Sequence, residues 1–372
     1  MLIHCKTFNF NGKSKGAALL LLSLIAICLS CTKEQKHEDS KEYPIGWDVT
    51  TMDELNNAPY DTKALIDGYL DLRSACSALE THEAEKIGVF GSCTLEGNTT
   101  TAFDDVDLWW WNKEDGNPYS DQTDTESKWN YPGEDIFWVD NADYLFKAYF
   151  PKSKVKLQPG SGSNKLLAVY DSETAQYDLL VAHKELKAKA ENPIVLMFSH
   201  ALAALKINFQ FINDGVSDLL TECWLENVQA NGLYTSSTLN FTDALYWPVS
   251  TPNPVGTLMY HWKPINPQMI TSTGIATAYN SSAAEGSGQV YTGNNGWLLV
   301  IPQVIGPETV QLCFKTRTGG DVVYRATIPA TELQPGKRYT YLVKISSTQI
   351  ELKLAIADWN ERDSSYEIDF NQ

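Results

Sequence analysis

From Leu205 to Phe211, apolar side chains fall on every second position, Leu205, Ile207, Phe209 and Phe211, with Lys206, Asn208 and Gln210 between them. Successive side chains leave an extended strand on opposite sides, so a period of two predicts one face on a core and the other in water. The same spacing recurs in Tyr144, Phe146 and Ala148, in Tyr339, Tyr341, Val343 and Ile345, and most regularly in Ile350, Leu352, Leu354 and Ile356. Between these runs stand turn-forming clusters: Pro159-Gly160-Ser161-Gly162-Ser163, Asn213-Asp214-Gly215, Asn231-Gly232, Thr318-Gly319-Gly320-Asp321 and Pro335-Gly336. Short strands separated by turns predict an all-β chain made of β-sandwiches. Helical spacing is scarce. Glu185 to Glu191 predicts about two turns, and Thr51 to Asn57 one or two with Thr51 as the cap. Residues 250–296, rich in Pro, Ser, Thr, Gly and Asn, predict long loops around a strand or two, and no repeat of solenoid length is visible.

The amino terminus carries an address rather than a fold. Lys6, Lys13 and Lys15 precede an apolar run of thirteen residues from Ala17 to Leu29, short of the ~20 that a bilayer crossing needs. A basic start, a short apolar core and a small residue before a cysteine describe a lipoprotein export signal over residues 1–30. Cleavage after Ser30 leaves Cys31 as the lipidated first residue and the membrane as a partner through that lipid. Residues 31–43 form a polar tether with nothing to bury. The expected location is the outer membrane and the cell surface.

Removing the leader takes away three lysines and no acids, which moves the formal charge from −17 to −20. An acidic chain of this kind excludes nucleic acid as a partner and disfavours anionic headgroups. With 43% hydrophobic and 20% charged residues, the composition is that of a folded protein rather than a disordered one. Near Pro193 the charged stretch Lys184-Glu185-Leu186-Lys187-Ala188-Lys189 gives way to the apolar run Ile194-Val195-Leu196-Met197-Phe198. That shift predicts two domains, residues 44–193 and 194–372. Cys76, Cys93, Cys223 and Cys313 lack metal-ligand spacing, and the expectation is buried free thiols.

Several segments, in order along the chain, resemble the Bacteroidetes fimbrillin family. Asp178-Leu179-Leu180-Val181-Ala182 and Asn192-Pro193-Ile194-Val195-Leu196-Met197-Phe198-Ser199-His200-Ala201-Leu202-Ala203-Ala204-Leu205-Lys206-Ile207 carry the likeness most strongly. Lys86-Ile87-Gly88-Val89-Phe90-Gly91, Tyr144-Leu145-Phe146-Lys147-Ala148-Tyr149-Phe150-Pro151 and the ending Pro335-Gly336-Lys337-Arg338-Tyr339-Thr340-Tyr341 … Ile356-Ala357-Asp358-Trp359 agree with it. The resemblance implies two transthyretin-like Greek-key β-sandwich domains in tandem and a pilus subunit carried to the surface by lipid. It also implies partners: other fimbrial subunits joined by strand donation, and host or bacterial surface ligands for adhesion. In polymerising members a trypsin-like protease removes the first strand, and a neighbour's strand fills the groove. The removable strand here is expected near Ile45-Gly46-Trp47-Asp48-Val49, with Lys63 and Arg73 as alternative cleavage positions. Tyr366, Ile368 and Phe370 alternate near the carboxyl end, as either a donor strand or the last strand of their own sheet, with the second reading preferred.

Few residues suggest chemistry. Trp109, Trp110 and Trp111, with Trp129, Tyr131, Phe137 and Trp138 nearby, suit contact with a glycan in an anchored glycan-binding lipoprotein, the alternative function. Packing of alternate tryptophans in a strand accounts for them better. Asp104, Asp105 and Asp107, then Asp121, Asp124 and Glu126, lack the spacing of a calcium loop and are expected to be solvated acids. His200 is expected in a core, and His82, His183 and His261 have no nucleophile motif beside them. The chain predicts no enzyme, no metal and no cofactor.

Overall fold

The computed structural model describes residues 44–51, 72–77, 83–112, 127–187, 192–280 and 296–359. Strands dominate, and among the described residues no helix is long and apolar enough to cross a membrane. The amino-terminal half is built on a long hairpin, β2 (Ile87–Leu95) and β3 (Asn98–Trp111). Its two-residue turn, Glu96-Gly97, has φ values of 52° and 80°. That pair matches the right-handed twist of the flanking strands, and the glycine accepts the left-handed backbone without cost.

The hairpin extends into one sheet through β5 (Asp143–Phe150), β8 (Leu180–Leu186) and β9 (Ile194–His200) on one side, and β4 (Lys128–Asn130) on the other. A first strand, β1 (Trp47–Thr51), pairs with both β4 and β9 and so closes the sheet into a seven-stranded barrel. Phe103, Phe146, Ala148, Leu196 and Phe198 fill the interior together with Trp47. A short helix, α1 (Leu72–Ala75), adds Leu72 and Ala75 to the same core.

In the carboxyl-terminal half the alternating run at Leu205 forms β10 (Ala203–Phe211). It lies parallel to β22 (Lys337–Ile345), which pairs in turn with β23 (Ile350–Asp358). On its other edge sit β16 (Ala276–Thr277) and β17 (Trp297–Val300). A second sheet packs across from it, made of β11 (Ser217–Asn227), β14 (Leu258–Trp262), β15 (Gln268–Thr271), β19 (Val310–Thr316) and β20 (Tyr324–Thr327). Leu205, Ile207, Phe209, Cys223, Trp262, Tyr339, Tyr341 and Val343 share the core between the sheets. A small ladder of β18 (Gln303–Ile305) and β21 (Thr331–Leu333) lies beside them.

A third sheet draws on both halves. β6 (Lys156–Leu157) and β7 (Leu166–Asp171) come from the first, and β12 (Ser236–Phe241) and β13 (Leu245–Tyr246) from the second. It covers the outer face of the barrel at Phe90, Tyr149 and Val181 and meets Trp297 and Leu299 of the β10 sheet. Sheet membership therefore changes between His200 and Ala203, and β9, which starts directly after Pro193, is a barrel strand.

Several local expectations need correction. Glu185 and Leu186 belong to β8, paired with Leu145 and Tyr144, and not to a helix. Thr51 ends β1, and the rest of the helix expected from Thr51 to Asn57 lies outside the described residues. Between 258 and 277 the chain forms three short strands, β14, β15 and β16, more than the one or two expected. Ile356 is 56% exposed although it continues the most regular alternation in the chain; among the described residues β23 is the outer strand of its sheet. Residues 366–370 lie outside the described residues.

Candidate functional site

The chemistry of β1 explains its position. Trp47, Val49 and Thr51 point inward and are buried, while Asp48 and Thr50 face outward. The Trp47 indole meets Phe103 and Phe146 edge-on, with ring centroids at 5.2 and 5.4 Å. Such pairs add about 0.5–1.5 kcal/mol beyond the area they bury. Along β9 the pairing is parallel and runs from Trp47 opposite Ile194 to Thr51 opposite Phe198. Along β4 it consists of Trp47 opposite Trp129 alone. Among the described residues the strand is therefore paired along one edge and at a single position on the other.

Asn192 fixes the entry of the strand. Its Oδ1 accepts the Gly46 N–H at 2.7 Å, its Nδ2 donates to the Pro44 carbonyl at 3.2 Å, and the Ile194 N–H donates to the Gly46 carbonyl at 2.8 Å. A Cβ on Gly46 would stand 2.8 Å from Asn192 Oδ1, so the close approach needs glycine. Ile45 N donates to the Ile136 carbonyl at 2.8 Å. A cavity of about 600 Å³ opens at this end, lined by Gly46, Trp47, Asn112, Trp129, Tyr131 and Asn192 among others.

Of the two cleavage candidates, Lys63 lies outside the described residues, as does the lipidation candidate Cys31. Arg73 sits in α1, where its guanidinium carbon lies 4.0 Å from the centroid of the Trp110 ring. The three consecutive tryptophans split as a strand requires. Trp109 and Trp111 are both 7% exposed and stack on each other at 4.8 Å and 9°, whereas Trp110 is half-buried, edge-on to Trp129 at 5.8 Å. The Trp111 Nε1–H donates to the Asn130 carbonyl at 3.2 Å, and Asn130 Nδ2 donates back to the Trp111 carbonyl at 2.7 Å.

Asp105 and Asp107 of β3 are ion-paired. Lys152 lies 3.2 Å from Asp105 and 2.6 Å from Asp107, Lys86 lies 3.5 Å from Asp107, and the Tyr149 hydroxyl donates to Asp105 at 2.8 Å. Asp104 is exposed. Among the described residues no group of three or more His, Cys, Asp or Glu side chains gathers as a metal site; Asp121, Asp124 and Glu126 lie outside them. His200 is buried, 2.9 Å from Asp178, and stacks on Trp359 at 4.1 Å. His261 approaches Glu222 to 3.7 Å. Burial pushes the Glu222 carboxyl up, but Lys315, Lys263 and His261 outweigh it and hold it below its ordinary range. His82 lies outside the described residues. Cys76, Cys93, Cys223 and Cys313 are buried free thiols; burial pushes Cys313 up to about 12.

One cluster had no signal in the alternating pattern. Lys147 sits between Phe146 and Ala148 at a position expected to face water, yet it is 0% exposed because the third sheet covers that face. Its Nζ donates to the Thr242 carbonyl and lies 4.9 Å from the Phe241 ring centroid. Burial lowers its pKa, and Asp243 partly opposes that shift. His183, paired opposite Lys147, is also pushed down, by burial and then by the lysine. The polar break was readable only as part of Lys147-Ala148-Tyr149-Phe150, where both parities turn apolar.

The fold defines an all-β class in which sheets from two halves interlock and a short first strand closes a barrel. Two solved bacterial proteins share the architecture. One is a candidate cell adhesion protein from Bacteroides ovatus, 17% identical, with a TM-score of 0.52, covering 87% of this chain and 99% of that one. The other is a fimbrial protein from Bacteroides vulgatus, 15% identical, with a TM-score of 0.53, covering 85% and 99%. At these identities the likeness concerns the fold. A search of curated proteins gives no significant match. The fimbrillin-like family model matches residues 75–359, and the chain belongs to that family. Membership makes it a structural, non-enzymatic subunit of the fimbrial kind and places it at the cell surface.

Proposed function

We propose that this fimbrial subunit is exported as a lipoprotein through Cys31, folds as two domains in tandem with β9 in the first of them, and joins other subunits by exchange of β1. The observation that carries this reading is the lopsided hold on β1 among the described residues: five parallel pairs to β9 and one pair to β4. Loss of the strand leaves unpaired backbone on β9 and β4 and an apolar slot where Trp47 and Val49 stood. A strand from the next subunit satisfies both at once. Head-to-tail donation does not close on itself, so it builds a filament. Adhesion to host or bacterial surfaces follows from display along that filament.

The test is the mass and first residue of the chain sheared from its native cells. A start downstream of β1, without lipid, supports release of the strand and polymerisation. A diacylated Cys31 means that the subunit stays anchored with its barrel closed. Glycan contact is a second reading, centred on Trp110, the half-buried member of the three tryptophans. Polysaccharide binding lost in Trp110→Ala supports it, and unchanged binding removes it.

A further inference from the structure

We infer that α1 is a permanent plug of the barrel: any cut that frees β1 falls ahead of Leu72, and the processed subunit keeps residues 72–77 in place. This inference rests on the strand-exchange reading above. Leu72, Ala75 and Cys76 are buried in the core that also holds Trp47 and Val49. Their backbone is tied elsewhere. The Trp110 N–H of β3 donates to the Cys76 carbonyl at 2.9 Å, Ser77 bridges to Trp110, and the Glu85 N–H donates to the Ala75 carbonyl at 2.9 Å. Removing β1 breaks none of these bonds.

The Arg73–Ser74 bond is also poorly presented for hydrolysis. Endoproteases bind the residues around the bond they cut as an extended strand, with the specificity side chain free to enter a pocket. Here the bond lies within a helical turn closed by the Cys76 N–H donating to the Leu72 carbonyl at 2.9 Å. The Arg73 carbonyl accepts the Ser77 hydroxyl at 2.7 Å, and the guanidinium is spent on the Trp110 ring. Leu72 and Ala75, which flank the bond, would both have to leave the core. Arg73 is thus a clamp on Trp110, although it is exposed and basic. When β1 leaves, α1 stays against the opened core as part of the surface that an incoming strand meets.

Trypsin separates the possibilities, because Lys63 is the one basic residue between Met52 and Asp71. The intact folded protein is treated under native conditions. Products that begin between residues 52 and 77 are identified by mass, and Cys76 is followed by maleimide labelling with peptide mapping. The expected product begins at Ala64, and Cys76 stays unlabelled before and after the cut. A product beginning at Ser74, or labelling of Cys76 that rises with the cut, overturns the inference. No cut in this region leaves the protection of α1 standing and counts against release of β1, so the two ideas fail separately. Lys63→Gln leaves α1 untouched and is expected to abolish cutting between residues 52 and 77; a Ser74 product from that variant overturns the plug.

Discussion

The barrel around Phe146 and the sandwich around Trp262 are closed by different kinds of strand. The sandwich ends in β22 and β23, neighbours in sequence that pair at nine positions from Lys337–Asp358 to Ile345–Ile350. The barrel closes through β1, whose partner Ile194 lies far along the chain and whose pairing is parallel. A local hairpin costs little loop entropy and forms early, while a distant parallel strand gains its contacts only after the rest has assembled. The difference teaches where the molecule divides most easily: the sandwich holds a strand pair that is local in sequence, and the barrel is completed by one short strand whose partner lies far along the chain.

The largest expected effect sets the baseline for the sandwich. Trp262→Ala empties a fully buried site and is expected to cost about 3–5 kcal/mol in urea unfolding. An unchanged midpoint would mean that this core is not what holds the carboxyl-terminal half. Trp47→Ala is expected to cost about 3 kcal/mol, but locally. Hydrogen exchange should quicken in β1 and β9 while β10, β22 and β23 keep their protection. Equal loss in both halves would break the comparison.

Gly46→Ala probes the entry clamp alone. Its methyl group displaces the Asn192 amide and forfeits the bond to the Gly46 N–H, for about 1 kcal/mol. Exchange at Gly46 and Ile194 reads it, and Asn192→Ala should match it. A smaller effect concerns the covered face of the barrel. The His183 pKa is lowered in the fold, so the unfolded chain binds more protons between that lowered value and about 6.5. Stability therefore falls as the pH drops through that window. Denaturation midpoints at pH 7 and pH 5 should differ less in His183→Phe than in the parent chain. The smallest effect is expected from Lys86→Met, which removes a partly exposed pair with Asp107 and should cost under about 1 kcal/mol. A larger loss would mean that ion pairs, and not burial, hold β2 to β3.

How much of this was legible in the sequence depends on whether the signal was local. The alternation at Leu205, Ile207 and Phe209 predicts β10 and its inward face, and both hold. Trp109 and Trp111 share a face as their spacing requires. Alternation reports the pleat of a strand but not its neighbours. It does not reveal that a third sheet lies over Lys147, nor that Ile356 of β23 is exposed. Lys184 and Glu185 looked helical because the solvent-facing end of β8 carries charge. The partnership of β1 with β9 depends on topology, and no spacing within either segment encodes it. Asn192 stands in the segment that carries the family likeness, but its clamp on Gly46 depends on two segments distant in sequence lying side by side. Arg73 was readable as a basic residue in sequence, whereas its ring partner was not.

The position of β1 has a mechanical side. Any pull on the amino terminus enters the described fold at Pro44, meets the Ile45–Ile136 bond and the Asn192 clamp, and then passes into β1. Tension along the strand loads its ladder to β9 in shear, so the bonds share the load with the Asn192 clamp. Tension across the strand peels them one at a time. A subunit tethered by its amino terminus thus bears force on the very strand that the proposed exchange would discard, and under that proposal a cut behind the strand removes the load path together with the tether.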